Sequence, residues 1–233
     1  MPWHGHTIVG TTDTPRHDLP LDLRASDEDI DFILVTAADY LSMKPTRDDV
    51  LSVWAGLRPL VKGNGDASTK SLLREHTIEA NANGMITVTG GKWTTYRLMA
   101  QQVVDLAISK GLLTAAPCRT TNLPLHGSTS ERAGVYGSDA HALEQLPGAS
   151  NMLVRASGLT EAHTRFAARE ELAHSVEDVF ARRNRALFLD AAAARAAASE
   201  VARIMAEELE KSAQWQADEI SRFDAFARTW TLN

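Results

Sequence analysis

Two glycines, a lysine and two threonines stand together in the segment ITVTGGKWTTYR, near the middle of the chain. Gly90 and Gly91 permit a sharp turn and the close approach of a ligand, since neither residue carries a Cβ. Lys92 adds a mobile positive charge at the same point, and Thr94 and Thr95 add hydroxyl groups. This combination favours a ligand-binding turn over an ordinary connection between a strand and a helix.

The elements on either side of this turn follow from residue type and spacing. Residues 86–89 are all β-branched, which predicts a short strand. After the glycines the apolar side chains recur at helical spacing, at Tyr96, Met99, Val103, Leu106 and Ala107. The unfilled N–H groups and the dipole at the start of such a helix favour an anion or a carbonyl-rich ring.

Two arginines elsewhere in the chain are candidates for the same site. Arg58 is the single charge in the apolar run 50–60, so it needs either a carboxylate partner or a ligand. Arg74 lies in a predicted strand, 72–79, that the turn signal NANG joins to the strand before Lys92. We expect Arg58, Arg74 and Lys92 to converge on one anion, and phosphate is the obvious candidate for such a set.

The remaining pattern predicts an α+β N-terminal part followed by an all-α C-terminal domain. Residues 6–12 are expected to form a strand, and Ser26 is expected to cap a helix that Pro45 stops. Residues 1–113 form the first part, 114–127 read as a linker with two prolines, and 128–233 form the helical domain. In that domain Thr160 and Asp190 are predicted N-caps.

Composition limits the function classes. The chain has 233 residues, 44% of them hydrophobic and 23% charged, with a net charge of −6, which is typical of a globular protein and argues against general nucleic-acid binding. A single cysteine suits a reducing compartment, and no apolar run is long enough for a membrane helix. We expect a cytoplasmic location and leave peripheral contact with the inner face of the membrane open. No metal site is expected, because Glu171 and His174 lack further ligands on facing helices.

Four motifs occur in an order and at a spacing that resemble one enzyme family. They are GTTDTP (10–15), WAGLRPL (54–60), LLREHTI (72–78) and TGGKWTTYRLMA (89–100). Together they closely resemble the FAD-dependent, aerobic glycerol-3-phosphate dehydrogenases. The segment 170–190 resembles the C-terminal domain of that family, so the resemblance spans nearly the whole chain.

The resemblance implies a cofactor, a reaction and residue roles. FAD would accept a hydride from C2 of glycerol 3-phosphate, dihydroxyacetone phosphate would form, and electrons would pass to quinone. Arg58 and Arg74 would bind the substrate phosphate or orient the alcohol, and Lys92 would lie beside both flavin and substrate, so Arg58 and Lys92 are the catalytic candidates. The cofactor-binding residues implied are Gly90, Gly91, Lys92, Thr94 and Thr95.

One expected motif is absent from these 233 residues. The family carries a Gly-x-Gly-x-x-Gly segment for the FAD pyrophosphate, and this chain has none. We therefore expect a C-terminal portion that is inactive alone: a truncated reading frame, one half of a split protein, or a fragment. Whether a missing N-terminal half or a second copy is its partner is left open. The alternatives are a non-catalytic remnant acting as a helical interaction module, or a related flavin-dependent oxidoreductase with another substrate.

Overall fold

The computed structural model describes residues 1–58, 76–128 and 134–232. Helices predominate in these residues, and each of the three sheets consists of two antiparallel strands. The chain divides into two compact units, one formed by Met1–Gly56 with Ser130–Asn233 and the other by Leu57–Thr129. The first unit is thus assembled from both ends of the sequence. The expected domain boundaries at residues 114–127 remain a prediction.

The N-terminal segment forms a short hairpin and one helix. Strands β1 (Pro2–Trp3) and β2 (His6–Thr7) pair antiparallel, joined by a turn in which His4 and Gly5 both have positive φ. The strand expected over residues 6–12 is wrong in length: β2 ends at Thr7, and beyond it Ile8 exchanges backbone hydrogen bonds with Met1. Helix α1 (Asp27–Ala38) begins as predicted, since the Ser26 side chain accepts the N–H of Asp29.

The unit Leu57–Thr129 contains the predicted hairpin and the helix that follows it. Strands β3 (His76–Ala80) and β4 (Ile86–Gly90) pair antiparallel along their whole length. A 3₁₀ turn (Trp93–Thr95) leads into helix α2 (Tyr96–Ser109), so the predicted strand, turn and helix are all present. Ala107 is the one buried side chain among residues 76–128, and Val88, Trp93 and Val104 are exposed. Apart from Ala107, the apolar side chains of the described hairpin and helix are therefore exposed or half-buried.

Residues 134–232 are predominantly helical. The helices are α3 (Ala140–Glu144), α4 (Glu161–Glu170), a π-helix (Asp178–Arg183), α5 (Ala186–Leu189), α6 (Ala191–Glu208) and α7 (Ala213–Arg228). Thr160 and Asp190 cap α4 and α6 as predicted. A pair of short strands that the sequence pattern did not indicate, β5 (Met152–Val154) and β6 (Leu159–Thr160), also lies here.

The core of the first unit lies between the π-helix, α5, α6 and α7. Phe180 and Phe223 are fully buried and stack with their ring centroids 4.8 Å apart. Further fully buried side chains surround them, among them Leu187, Val201 and Met205. Burying one large apolar side chain stabilises the fold by about 1.5–3 kcal/mol, so this cluster makes the helical part the well-packed part of the described chain.

A short segment of the N-terminal part is hydrogen-bonded to these helices, and we call it the docking segment (residues 51–54). The Ser52 hydroxyl donates to the carbonyl of Leu187 at 2.8 Å and accepts the N–H of Ala191 at 2.9 Å. The N–H of Val53 donates to the carbonyl of Trp230 at 2.9 Å. The Trp54 ring stacks on that of Trp230, with centroids 6.1 Å apart. These contacts explain why both ends of the chain form one unit.

Candidate functional site

The predicted ligand-binding residues begin with a turn that we call the glycine turn (residues 90–92). Gly90 and Gly91 have φ angles of +77° and +92°, a backbone conformation that side chains with a Cβ rarely adopt. A Cβ on Gly91 would lie 2.6 Å from the Sδ of Met99 and 3.2 Å from the Cβ of His76. Gly91 is therefore required both by its backbone angle and by close packing from two sides.

Lys92 and the two threonines follow directly. Lys92 and Thr94 are exposed, and Thr95 is half-buried. The carbonyl of Lys92 accepts both the N–H and the hydroxyl of Thr95, each at 3.0 Å. Thr95 thus uses its hydroxyl within the turn, which leaves the Thr94 hydroxyl and the Lys92 ammonium on the accessible side. The ligand contacts expected of all three residues remain predictions.

The N-terminus of α2 differs from those of the other long helices described. Helices α1, α4, α6 and α7 each have a side-chain cap, supplied by Ser26, Thr160, Asp190 and Ser212. At α2 the N-cap residue makes no side-chain capping bond, and the first turn holds no acidic residue. The N-terminal end of a helix carries unfilled N–H groups and a partial positive charge. Within the first turn of α2 no acidic side chain offsets that charge.

Of the two predicted phosphate-binding arginines, the structure describes Arg58. Arg58 is exposed and lies four residues after Trp54. Arg74 falls outside the described residues. The expected convergence of Arg58, Arg74 and Lys92 therefore remains a prediction.

Arg97, which the sequence places next to these residues, has contacts on the far side of α2. Its Nη1 donates to the Oε1 of Gln101 at 2.9 Å and to the hydroxyl of Thr120 at 3.1 Å. The Thr120 hydroxyl also hydrogen-bonds Cys118, and this bond lowers the pKa of that thiol. Arg97 thus holds the segment after α2 against the helix.

The structure also describes residues considered for a metal site, for an ion pair and for a membrane helix. The carboxylate of Glu171 has one buried oxygen without a partner, and burial raises its pKa. No three His, Cys, Asp or Glu side chains in the described ranges lie close enough to hold a metal ion. Arg182 pairs with Glu177 and Asp178. Of the helices that the structure describes, none has the length and hydropathy needed to cross a membrane.

Two residues that support the glycine turn did not emerge from the sequence pattern. His76 is the first residue of β3 and pairs with Gly90 across the hairpin. Its Nε2 lies 2.5 Å from the Oε1 of Gln102 on α2. Gln102 follows Thr95 by seven positions, so both lie on one face of the helix. Counting back along the hairpin from the turn signal NANG would have placed His76 opposite the glycines.

Comparison with known proteins confirms the resemblance that the four motifs indicated. The family model for the C-terminal domain of alpha-glycerophosphate oxidase matches residues 130–216. A probable mitochondrial glycerol-3-phosphate dehydrogenase of Caenorhabditis elegans is 35% identical over 97% of this chain. The mitochondrial glycerol-3-phosphate dehydrogenases of Arabidopsis thaliana and Homo sapiens are 34% and 33% identical over 99% and 90% of it. In sequence, the chain resembles the glycerol-3-phosphate dehydrogenases over almost its whole length.

A solved structure supports the same relationship. The X-ray structure of the glycerol-3-phosphate dehydrogenase from Bacillus halodurans, complexed with FAD, superposes with a TM-score of 0.71 at 26% identity, covering 98% of this chain. The present chain covers 50% of that protein. It spans 36%, 43% and 33% of the lengths of the worm, plant and human relatives. The match is therefore complete for this chain and partial for each of its relatives.

Proposed function

We propose that this chain forms the substrate-binding and flavin-contacting part of an FAD-dependent glycerol-3-phosphate dehydrogenase. The observation that carries the proposal is the identity of 33–35%, over 90% or more of this chain, to proteins named for that activity. The similarity to a structure complexed with FAD supports the choice of cofactor.

The residues of the glycine turn fit the cofactor. FAD, when bound, supplies the two-electron acceptor for oxidation of the secondary alcohol. The accessible Lys92 ammonium, the exposed Thr94 hydroxyl and the uncapped N-terminus of α2 provide positive charge and donors. These groups suit the carbonyl-rich end of a flavin and stabilise negative charge there. We assign Gly90, Gly91, Lys92, Thr94 and Thr95 to this role.

The arginines provide the substrate side of the site. A guanidinium presents a rigid fork of donors that matches a phosphate with two parallel hydrogen bonds. Arg58 and Arg74 are assigned to the phosphate of glycerol 3-phosphate, and Lys92 to the region between substrate and cofactor. With the phosphate held in this way, the alcohol carbon is presented in one orientation, and dihydroxyacetone phosphate is the product.

The electron acceptor and location belong to the same proposal. Quinone is the proposed acceptor, and because quinones dissolve in the membrane, the protein would need contact with its surface. We propose a cytoplasmic location with peripheral contact at the inner face of the membrane. The family model is that of an oxidase domain, so molecular oxygen is the alternative acceptor. The chain lacks a Gly-x-Gly-x-x-Gly segment, the motif that holds the FAD pyrophosphate in such folds. For this reason we propose that residues 1–233 alone do not oxidise the substrate.

The test is glycerol 3-phosphate oxidation by the complete gene product with FAD and a soluble quinone analogue, with hydrogen peroxide measured in parallel. Arg58→Ala should lower kcat/KM through a higher KM, since losing one charge-assisted contact to a buried anion costs about 2–4 kcal/mol, or roughly 30- to 900-fold. Lys92→Ala should lower kcat. Lys110→Ala, at the exposed far end of α2, is the matched control.

Each outcome bears on one part of the proposal. No substrate turnover by the complete gene product would refute the function. Turnover with hydrogen peroxide as the reduced product would replace quinone by oxygen. Turnover by residues 1–233 alone would contradict the expected need for a separate pyrophosphate cradle. An effect of Lys110→Ala as large as that of Lys92→Ala would refute the assignment of Lys92.

A further inference from the structure

We propose that His76 and Gln102 are positioning residues that hold the glycine turn against α2 and thereby fix where Lys92 is presented. The inference rests on the proposed function for its catalytic consequence. Its structural content, that one side-chain hydrogen bond restrains the turn, can be tested without any ligand. Neither residue needs to touch substrate or cofactor.

The first support is the position of His76 at the end of the hairpin ladder. Its backbone pairs with Gly90, the last residue of β4 before the turn. Its Cβ would be 3.2 Å from a Cβ at Gly91, so the residue packs directly beneath the second glycine. Its ring then reaches α2, where Nε2 lies 2.5 Å from the Oε1 of Gln102. His76 therefore contacts both the start of the turn and the helix that follows it.

The second support is a row of α2 side chains that faces the turn. Thr95, Met99 and Gln102 recur at intervals of four and three, which places them on one face of a helix. The Thr95 hydroxyl donates to the carbonyl of Lys92 at 3.0 Å and lies 3.6 Å from the Sδ of Met99. The thioether of Met99 fills the space that a Cβ of Gly91 would need. Thr95, just before α2, thus contacts Lys92, and Met99 of α2 packs against Gly91. Gln102 contacts His76, the strand residue beside the turn.

The turn needs such restraint because of its composition. A glycine loses more conformational freedom on ordering than any other residue. Lys92 directly follows two glycines, both with positive φ, so the backbone before it has the greatest conformational freedom. A small misplacement of a catalytic group lowers rates strongly, by up to about 100-fold for 1 Å. A side-chain bond that links the hairpin to α2 next to the glycines offsets this freedom.

The first measurement is hydrogen exchange at the amides of residues 90–93, in the complete gene product without added ligand. His76→Ala and Gln102→Ala should each raise the exchange rate of these amides about tenfold. The double variant should exchange no faster than either single variant, because both changes remove the same bond. His76→Gln, whose amide nitrogen can occupy the place of the ring Nε2, should restore slow exchange. Glu79→Ala, an exposed change further along β3, is the control.

The second measurement is steady-state kinetics of the same variants. Loss of the bond should lower kcat about tenfold, leave KM for glycerol 3-phosphate within about twofold, and be reversed by His76→Gln. A lower kcat with a nearly unchanged KM distinguishes misplacement of Lys92 from lost phosphate binding, which would raise KM. Unchanged exchange in both single variants, or fully additive effects in the double variant, would overturn the proposal. If His76→Ala does not fold, Gln102→Ala alone decides, since that residue lies on an exposed helix face. A protein without dehydrogenase activity would refute the proposed function, and the exchange result would still accept or reject the restraint.

Discussion

A buried carboxylate on α7 offers the sharpest test of how the helical part is held together. The side chain of Glu219 is 4% exposed, and its Oε2 accepts the N–H of Val176 at 2.9 Å. Val176 is fully buried and lies just before the π-helix. Removing the carboxylate takes away the acceptor of this buried amide. Glu219 therefore fastens α7 to the start of the π-helix through one charge-assisted hydrogen bond.

Glu219→Ala should destabilise the protein by about 2 kcal/mol. Leaving a buried N–H without an acceptor costs about 1–3 kcal/mol, and in a chain of this size each kcal/mol lowers the Tm by roughly 2–4 °C. We therefore expect a loss of about 4–8 °C. Glu219→Gln keeps an acceptor oxygen and gives up the ion pair with Arg222, whose side chain is 68% exposed. That loss should be about 1 kcal/mol or less.

The assay is thermal unfolding followed by circular dichroism, with hydrogen exchange at the Val176 amide. Exchange should accelerate in Glu219→Ala and stay slow in Glu219→Gln. Asp218→Ala is the matched control, since it removes the neighbouring exposed carboxylate, which bonds only Gln214 within α7. Equal damage from Glu219→Ala and Glu219→Gln would refute the reasoning, because it would show that the ion pair with Arg222, and not the buried amide, is the contact that matters.

Two further predictions concern the same unit. Burial lowers the pKa of His163 from its ordinary value of 6.5, so below that pH the unfolded chain binds more protons than the folded one, and stability falls as the pH drops. His163→Gln keeps a capping-box residue beneath Thr160, and its Tm should fall less than that of the wild type between pH 7.5 and 5.5. An equal fall in Tm would contradict this. Ser52→Ala removes both hydroxyl hydrogen bonds of the docking segment and should lower the free energy of unfolding in urea by about 1–2 kcal/mol. The loss is limited because the N–H of Ala191 keeps a hydrogen bond of 3.2 Å to the carbonyl of Leu51. The control Ser109→Ala loses a hydrogen bond within its own helix and should cost less than half as much, so a similar cost would contradict the docking role.

Local signals predicted much of the fold. Ser26, Thr160 and Asp190 cap helices as expected, because an N-cap needs only its own side chain and an amide three residues on. The strand, glycine turn and helix of residues 86–109 were also predicted from neighbouring residues. Helix α2 runs over Tyr96–Ser109, and its apolar spacing reflects a period that the sequence displays directly.

Features that depend on distant residues were not predicted. Residues 50–60 were interpreted as an apolar run with one charge, and nothing within them indicates that Ser52 bonds Leu187, 135 positions away. The π-helix over Asp178–Arg183 has the same apolar spacing as an α-helix over so few residues. At the candidate site, the glycines could be predicted from their type. The turn signal NANG places His76 opposite the glycines, but the role of His76 could not be predicted, since it depends on Gln102, a residue of another element.

The docking segment also has a consequence for the order in which the protein is made. Ser52 leaves the ribosome 135 residues before Leu187, and at about 5–20 residues per second this interval lasts about 7–27 s. Throughout it, Trp54 has neither Phe188 nor Trp230 to pack against. The N-terminal segment must therefore wait for the last helices to be synthesised before it can find its place. We expect nascent chains that end before Trp230 to bind chaperones through Trp54, and chains that include Trp230 to release them.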